Sequence, residues 1–312
     1  MKKNLLLLAL LALASVGFTA CSGDDENEGK GGKTETPEQI NKNDAVILNF
    51  SQDDPVEYSI TNENGQTDYT VSEIELTESG YYIAKLEKKR DMEVKATRSD
   101  GSAPQHFYLW GWYTKREDGS FDLAGFGYLS IQMLPNGAAQ VSVTTVTSAQ
   151  VGTFSVTVSV IAPPSNVSPK TVRLCRAWDI ITTRVQIEGV SGFYQEKGCD
   201  LNSILTYIKN YSEVTDNLKD NQVVDKIVFS ANGTFQLLYK NEEIDRANWQ
   251  WEDEETGTLT YEWDFGDMGY SFIDKHAQVT FASGSTPTQL KLFGTVNDGS
   301  VAKKVTATIN LK

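Results

Sequence analysis

Between Asp44 and Lys312 the chain is a succession of short alternating runs broken by Asn64-Gly65, Ser79-Gly80, Asp118-Gly119, Asn232-Gly233 and Asn297-Asp298-Gly299. Asn, Asp and Gly tolerate the positive φ of a tight hairpin, and each such return reverses a strand whose side chains alternate between two faces. A chain punctuated this way has little choice but antiparallel sheet, and the expected class is all-β.

The first half, 44–162, supplies runs such as Val56-Glu57-Tyr58-Ser59-Ile60, Val71 to Leu76, Tyr81 to Leu86, Gln140 to Thr147 and Thr153 to Ile161. Regular short strands with turns between them predict a β-sandwich. Its densest apolar stretch is Phe107-Tyr108-Leu109-Trp110-Gly111-Trp112-Tyr113. Alternation sets Tyr108, Trp110 and Trp112 on one face and Phe107, Leu109 and Tyr113 on the other. Either the strand is central and covered on both faces, or Tyr108, Trp110 and Trp112 form an exposed platform that stacks on sugar rings. Three prolines, Pro163, Pro164 and Pro169, then favour extended backbone and mark 163–169 as a linker.

In the second half, 170–312, the run Val172 to Glu188 changes the parity of its apolar residues between Ile180 and Ile181, which predicts a bulged or bent first strand. Leu201, Ile204, Leu205, Ile208 and Tyr211 fall at helical spacing behind Asp200, a suitable N-cap. This one short helix either lids a cavity or closes the end of a filled barrel. Seven further strands follow, through the turns at Ala231-Asn232-Gly233 and Glu254 to Gly257. Eight antiparallel strands close most simply as an up-and-down barrel, filled by side chains or holding one small ligand.

Lys2 and Lys3, the apolar run Leu5 to Val16 and Phe18-Thr19-Ala20 ahead of Cys21 have the layout of a secretory signal, 1–20. The segment resembles a bacterial lipobox, which implies lipidation of Cys21 and anchorage to a membrane. Ser22-Gly23-Asp24-Asp25-Glu26-Asn27-Glu28 resembles the export signal that carries lipoproteins of Bacteroidota-type bacteria to the outer face of the outer membrane. Polar, Gly- and Pro-containing sequence through 21–43 reads as a flexible acidic tether.

The full sequence carries a net charge of −14, and loss of Lys2 and Lys3 leaves 26 basic against 42 acidic residues. Nucleic acid and anionic lipid surfaces need basic patches and are disfavoured as partners. The remaining cysteines, Cys175 and Cys199, either pair in an oxidising compartment or stay as buried thiols. His106 and His276 have no nearby Cys or His, and no zinc, nucleophile-elbow or phosphate-loop pattern occurs. No catalytic residue, metal or cofactor is therefore assigned, and the expected activity is binding, not catalysis. Glu252-Asp253-Glu254-Glu255, with Asp264 and Asp267, either offers oxygens to Ca²⁺ without EF-hand spacing or is a solvated acidic turn.

The order Arg176-Ala177-Trp178-Asp179-Ile180, then Ile227 to Phe235, Trp249-Gln250-Trp251-Glu252 and Thr258 to Trp263 resembles the lipocalin-like domain of Bacteroidota-type lipoproteins. That resemblance implies an eight-stranded barrel with Trp178 on its first strand, Arg176 standing where lipocalins have Gly. Glu262-Trp263-Asp264-Phe265-Gly266-Asp267 is also similar to the core motif of PKD-type sandwich repeats.

Parity aligns Trp249 and Trp251 on one strand against Leu259, Tyr261, Trp263 and Phe265 on the next, a single aromatic wall. With Trp178 these residues are the candidate apolar-ligand site, or else the barrel's filling. The expected function is that of an outer-membrane lipoprotein binding a small hydrophobic ligand in its barrel. The alternative is a glycan-binding or adhesive protein using Tyr108, Trp110 and Trp112.

Overall fold

A computed structural model describes residues 44–62, 65–88, 106–147, 151–215, 222–263 and 273–312, and the chain divides into two units at Ala162 and Pro163. Among the described residues no helix is long and apolar enough to cross a membrane.

The first unit contains β1 (Val46–Asn49), β2 (Val56–Asn62), β3 (Gly65–Leu76), β4 (Tyr81–Lys88), β5 (His106–Lys115), β6 (Phe121–Leu123), β7 (Gly127–Met133), β8 (Ala139–Val146) and β9 (Val151–Ile161). From β3 to β9 they form an antiparallel meander, and β1 pairs with both of its ends. Val46 to Asn49 face Leu76 to Glu73 on β3, while Ile47 to Asn49 face Ile161 to Ser159 on β9. The result is a closed ring of eight strands with β2 appended to β3, not the expected sandwich. A sandwich needs two sheets with free edges, and β1 removes both edges at once.

Large side chains fill this ring. Tyr58 stacks on Phe126 at 5.2 Å, and the buried Tyr82 hydroxyl donates to the Ala124 carbonyl at 2.7 Å. Burial pushes the Tyr82 hydroxyl well above the ordinary phenol pKa. At Gly127 φ is +143° and a Cβ would lie 1.8 Å from the Thr144 carbonyl oxygen, so only glycine lets β7 approach β8 here.

The second unit begins with α1 (Pro169–Leu174), which overturns the reading of Pro169 as the end of a linker and Val172 as strand. Ser168 caps it by accepting from the Thr171 N–H, and Pro169 occupies the first turn, where its missing N–H costs nothing. With α2 (Leu201–Lys209) there are two short described helices rather than one, and Asp200 caps α2 as its sequence predicts.

The ring strands are β10 (Ala177–Ile187), β13 (Val223–Ser230), β14 (Thr234–Tyr239), β15 (Ile244–Asp253), β16 (Thr258–Trp263), β17 (Ile273–Thr280), β18 (Thr288–Asp298) and β19 (Val301–Leu311). Short β11 (Tyr194–Lys197) and β12 (Cys199–Asp200) attach to β10 and β13 outside the ring. Closure comes from β10, whose first residues pair with β13 and whose remainder pairs with β19. The expected irregularity lies between Ile180 and Thr182. That bulge re-aims the strand so that one stave can serve both neighbours. This unit is the eight-stranded antiparallel barrel that the sequence predicts.

Candidate functional site

The aromatic wall forms in the expected register, with Trp249 opposite Tyr261, Trp251 opposite Leu259 and Ala247 opposite Trp263. It is built into the core. Trp249 meets Trp251 edge-on at 5.4 Å and Phe229 at 5.6 Å, while Tyr261 and Trp263 pack around Phe235. The polar tips are also occupied internally. The Trp249 indole N–H donates to the Ser230 carbonyl at 3.1 Å, that of Trp251 to the Thr171 hydroxyl at 2.8 Å, and that of Trp178 to the Leu174 carbonyl at 2.9 Å. The Tyr261 hydroxyl donates to the Asp274 carbonyl at 3.0 Å, and burial raises its pKa. Buried rings whose donors are satisfied within the protein, as those of Trp178, Trp249 and Tyr261 are, belong to the framework, and the half-buried Trp251 and Trp263 pack against them. Phe265 lies outside the described residues.

Space for a ligand exists at the other end of the same barrel, in a cavity of about 70 Å³. Leu201, Ile204, Leu205 and Ile208 of α2 roof it, and Leu292, Ile309, Val305 and Val185 form its walls. Thr183 and Cys199 contribute the few polar atoms, and Ile273, the first residue of β17, closes one side. None of Trp178, Trp249, Trp251, Tyr261 and Trp263 lines it. Sequence reasoning found the four roof residues through their helical spacing but missed the wall. Aliphatic residues on alternating strands give the same signal whether they face a neighbour or a void.

Cys199 is fully buried at this cavity, and burial pushes its thiol up to about 12. Cys175 is buried as well, and both are free thiols, so the possible Cys175–Cys199 disulfide is not formed in the structure. The acidic run is occupied by local bonds. Glu252 contacts His276 at 3.0 Å, and the Thr256 hydroxyl, with the backbone N–H groups of Thr256 and Glu255, holds the Asp253 carboxylate below the usual carboxylate range. Asp264 and Asp267 lie outside the described residues.

On the first unit, Tyr108 is buried, Trp110 is half-buried and Trp112 is 41% exposed. Trp112 stacks on the buried Tyr81 with ring centroids 3.9 Å apart, and Trp110 tilts against the same ring at 6.0 Å. The three predicted platform residues thus share a face but differ in access, and only Trp112 presents much of its ring to solvent.

No protein-family model, curated protein or solved structure matches the chain.

Proposed function

We propose that this is an exported, lipid-anchored binding protein of the outer membrane whose C-terminal barrel receives the end of a small apolar ligand beneath α2. Export and anchorage rest on the first 21 residues, with lipid on Cys21. The lipocalin-like reading of 170–312 rests on the motif order around Trp178 and Trp249. Binding rests on one observation: a partly open, aliphatic cavity is lined on one side by α2, a helix that belongs to neither sheet.

Interiors are packed with few voids larger than a water molecule, and roughly 10–15 Å³ already admits one water. An apolar cavity of about 70 Å³ leaves its lining short of the contacts that a packed interior gives. A four-carbon chain end filling it contributes about 3 kcal/mol at 0.8 kcal/mol per methylene. The rest of such a ligand leaves past α2, which acts as a lid.

The test is native mass spectrometry of the chain from Ser22 onward, purified without detergent and offered fatty acids and neutral oligosaccharides. An acyl-chain adduct that disappears in Ile204→Trp supports the proposal. No adduct at any chain length refutes it. The second reading, glycan binding at the outer face of β5, is favoured by the exposure of Trp112. Oligosaccharide binding abolished by Trp112→Ala decides for it.

A further inference from the structure

Strands β7, β8 and β9 send Leu129, Val141, Val143, Val156 and Val158 into the first core, so by alternation their other residues face outward. The registers align that outer face into rows. Ser130 stands beside Ser142 and Ser155, and Gln132 beside Gln140 and Thr157. Tyr128 stands beside Thr144 and Thr153. No side chain in these rows carries a charge, although charged residues make up 22% of the sequence. Charge begins at the border, where Asp122 stands beside Tyr128 and Arg116 lies over the Tyr128 ring, 5.1 Å from its centroid.

The polar groups are partly fixed by one another. The Gln140 amide donates to the Ser155 hydroxyl at 3.1 Å and accepts from the Thr157 hydroxyl at 3.1 Å. The Thr144 and Thr153 hydroxyls lie 3.2 Å apart. A hydroxyl that accepts one bond still has a proton to give, and one that donates still has lone pairs to offer. Ser155 therefore presents a donor and Thr157 an acceptor, about 7 Å apart along β9 at ~3.4 Å per residue. Past the Tyr128 row, Val146 pairs with Val151, and Tyr128, Val146 and Val151 are all exposed. A field of hydroxyls and amides thus ends in an apolar margin.

That composition selects among partners. Protein interfaces concentrate aromatic residues, Met and Arg at their centres and are depleted in Ser, so a centre of Ser, Thr and Gln does not suit a protein partner or a second copy of this chain. An anionic ligand finds no cation within the rows. A neutral sugar chain fits on both counts, because its hydroxyls donate and accept and the C–H faces of its rings pack on Tyr128, Val146 and Val151. We infer that the outer face of β7, β8 and β9 binds a neutral polysaccharide. The inference is independent of the cavity beneath α2, and it shares with the Trp112 reading a ligand class but no residue.

The experiment titrates the chain from Ser22 onward with dextran, mannan and mixed-linkage β-glucan by calorimetry at low and high salt, with polygalacturonate as the anionic control. At least one neutral polysaccharide is expected to bind, with a Kd that changes less than about twofold with salt because no ion pair forms. Ser142→Glu, at the centre of the rows and outside the core, is expected to weaken it at least about tenfold by burying a charge against the sugar. Ser155→Ala, which removes one hydroxyl and adds no bulk, is expected to weaken it about threefold. Trp112→Ala is expected to leave it unchanged. Loss in both Ser142→Glu and Trp112→Ala also supports the inference, the sugar chain then running from Trp112 onto this face. Loss confined to Trp112→Ala overturns it and leaves the Trp112 reading standing. Failure of all three neutral polysaccharides, tighter binding of polygalacturonate, or indifference to both Ser142→Glu and Ser155→Ala overturns it as well. So does self-association that Ser142→Glu abolishes in the absence of polysaccharide binding, which would make a second copy the occupant.

Discussion

Two eight-stranded rings in one chain solve the same closure problem with different contents. In the N-terminal unit Tyr58 and Tyr82 both pack on Phe126, within a core cluster that takes in side chains from nearly every stave. The C-terminal ring crowds Trp178, Trp249 and Tyr261 into its core and sets α2 over aliphatic residues that leave a void. A ring of this size has an interior that side chains alone can just fill. What separates the two is therefore the inserted helix. A helix brings side chains in on a rod that cannot follow the taper of the strands, and the mismatch collects as space beneath Ile204 and Leu205.

The largest expected effect breaks the filled part of the second ring. Trp249→Ala removes a buried indole, its two aromatic neighbours' contacts and the bond to the Ser230 carbonyl, and should cost about 3–5 kcal/mol. Chemical unfolding with amide exchange read in β15 and β16 measures it. A cost under 1 kcal/mol would mean that the wall is not core.

The next prediction applies one substitution to both rings. Ala84 is fully buried in the first core, and Ala84→Leu should cost about 1–3 kcal/mol through overpacking. Ala307 borders the cavity, so Ala307→Leu should cost less than about 1 kcal/mol or stabilise. Equal costs at the two sites would erase the distinction between a filled ring and a hollow one.

The last effect is nil at neutral pH and appears only in alkali. Folding raises the Cys199 thiol from the ordinary 9.0 to about 12, so the unfolded chain releases this proton first as pH rises. The contribution is complete below pH 9 and is lost as pH climbs toward 12, at on the order of 1.4 kcal/mol per pH unit. Cys199→Ala should flatten that part of the stability profile in the C-terminal unit. An unchanged slope would place the thiol in contact with water.

The sequence made the hairpins legible because turn chemistry is local. Gly119, Gly233 and Gly257 sit at positive φ where the dipeptides require it, and the turn at Gly257 set the register of the aromatic wall. The α2 helix was equally readable from spacing and an N-cap. Closure of the first ring was not, because β1 is only four residues long and its second partner, β9, lies more than a hundred residues away in sequence. Nothing within a window of ten residues distinguishes an edge strand of a sandwich from the stave that shuts a barrel. The helix α1 carried its own signal, Ser168 before Pro169, which the prolines upstream obscured. The wall's role could not be read at all, since parity names the face and not whether that face meets a side chain or a space.

The shortness of β1 also has a mechanical meaning. Any pull entering from the N-terminal side reaches the first ring through four residues, reinforced by the Lys115–Asp44 ion pair at 2.6 Å just ahead of them. Those residues hold two neighbours at once, so a load that detaches them opens two seams together. Under tension the first ring would behave as a latch, holding until β1 slips and then yielding along its whole length.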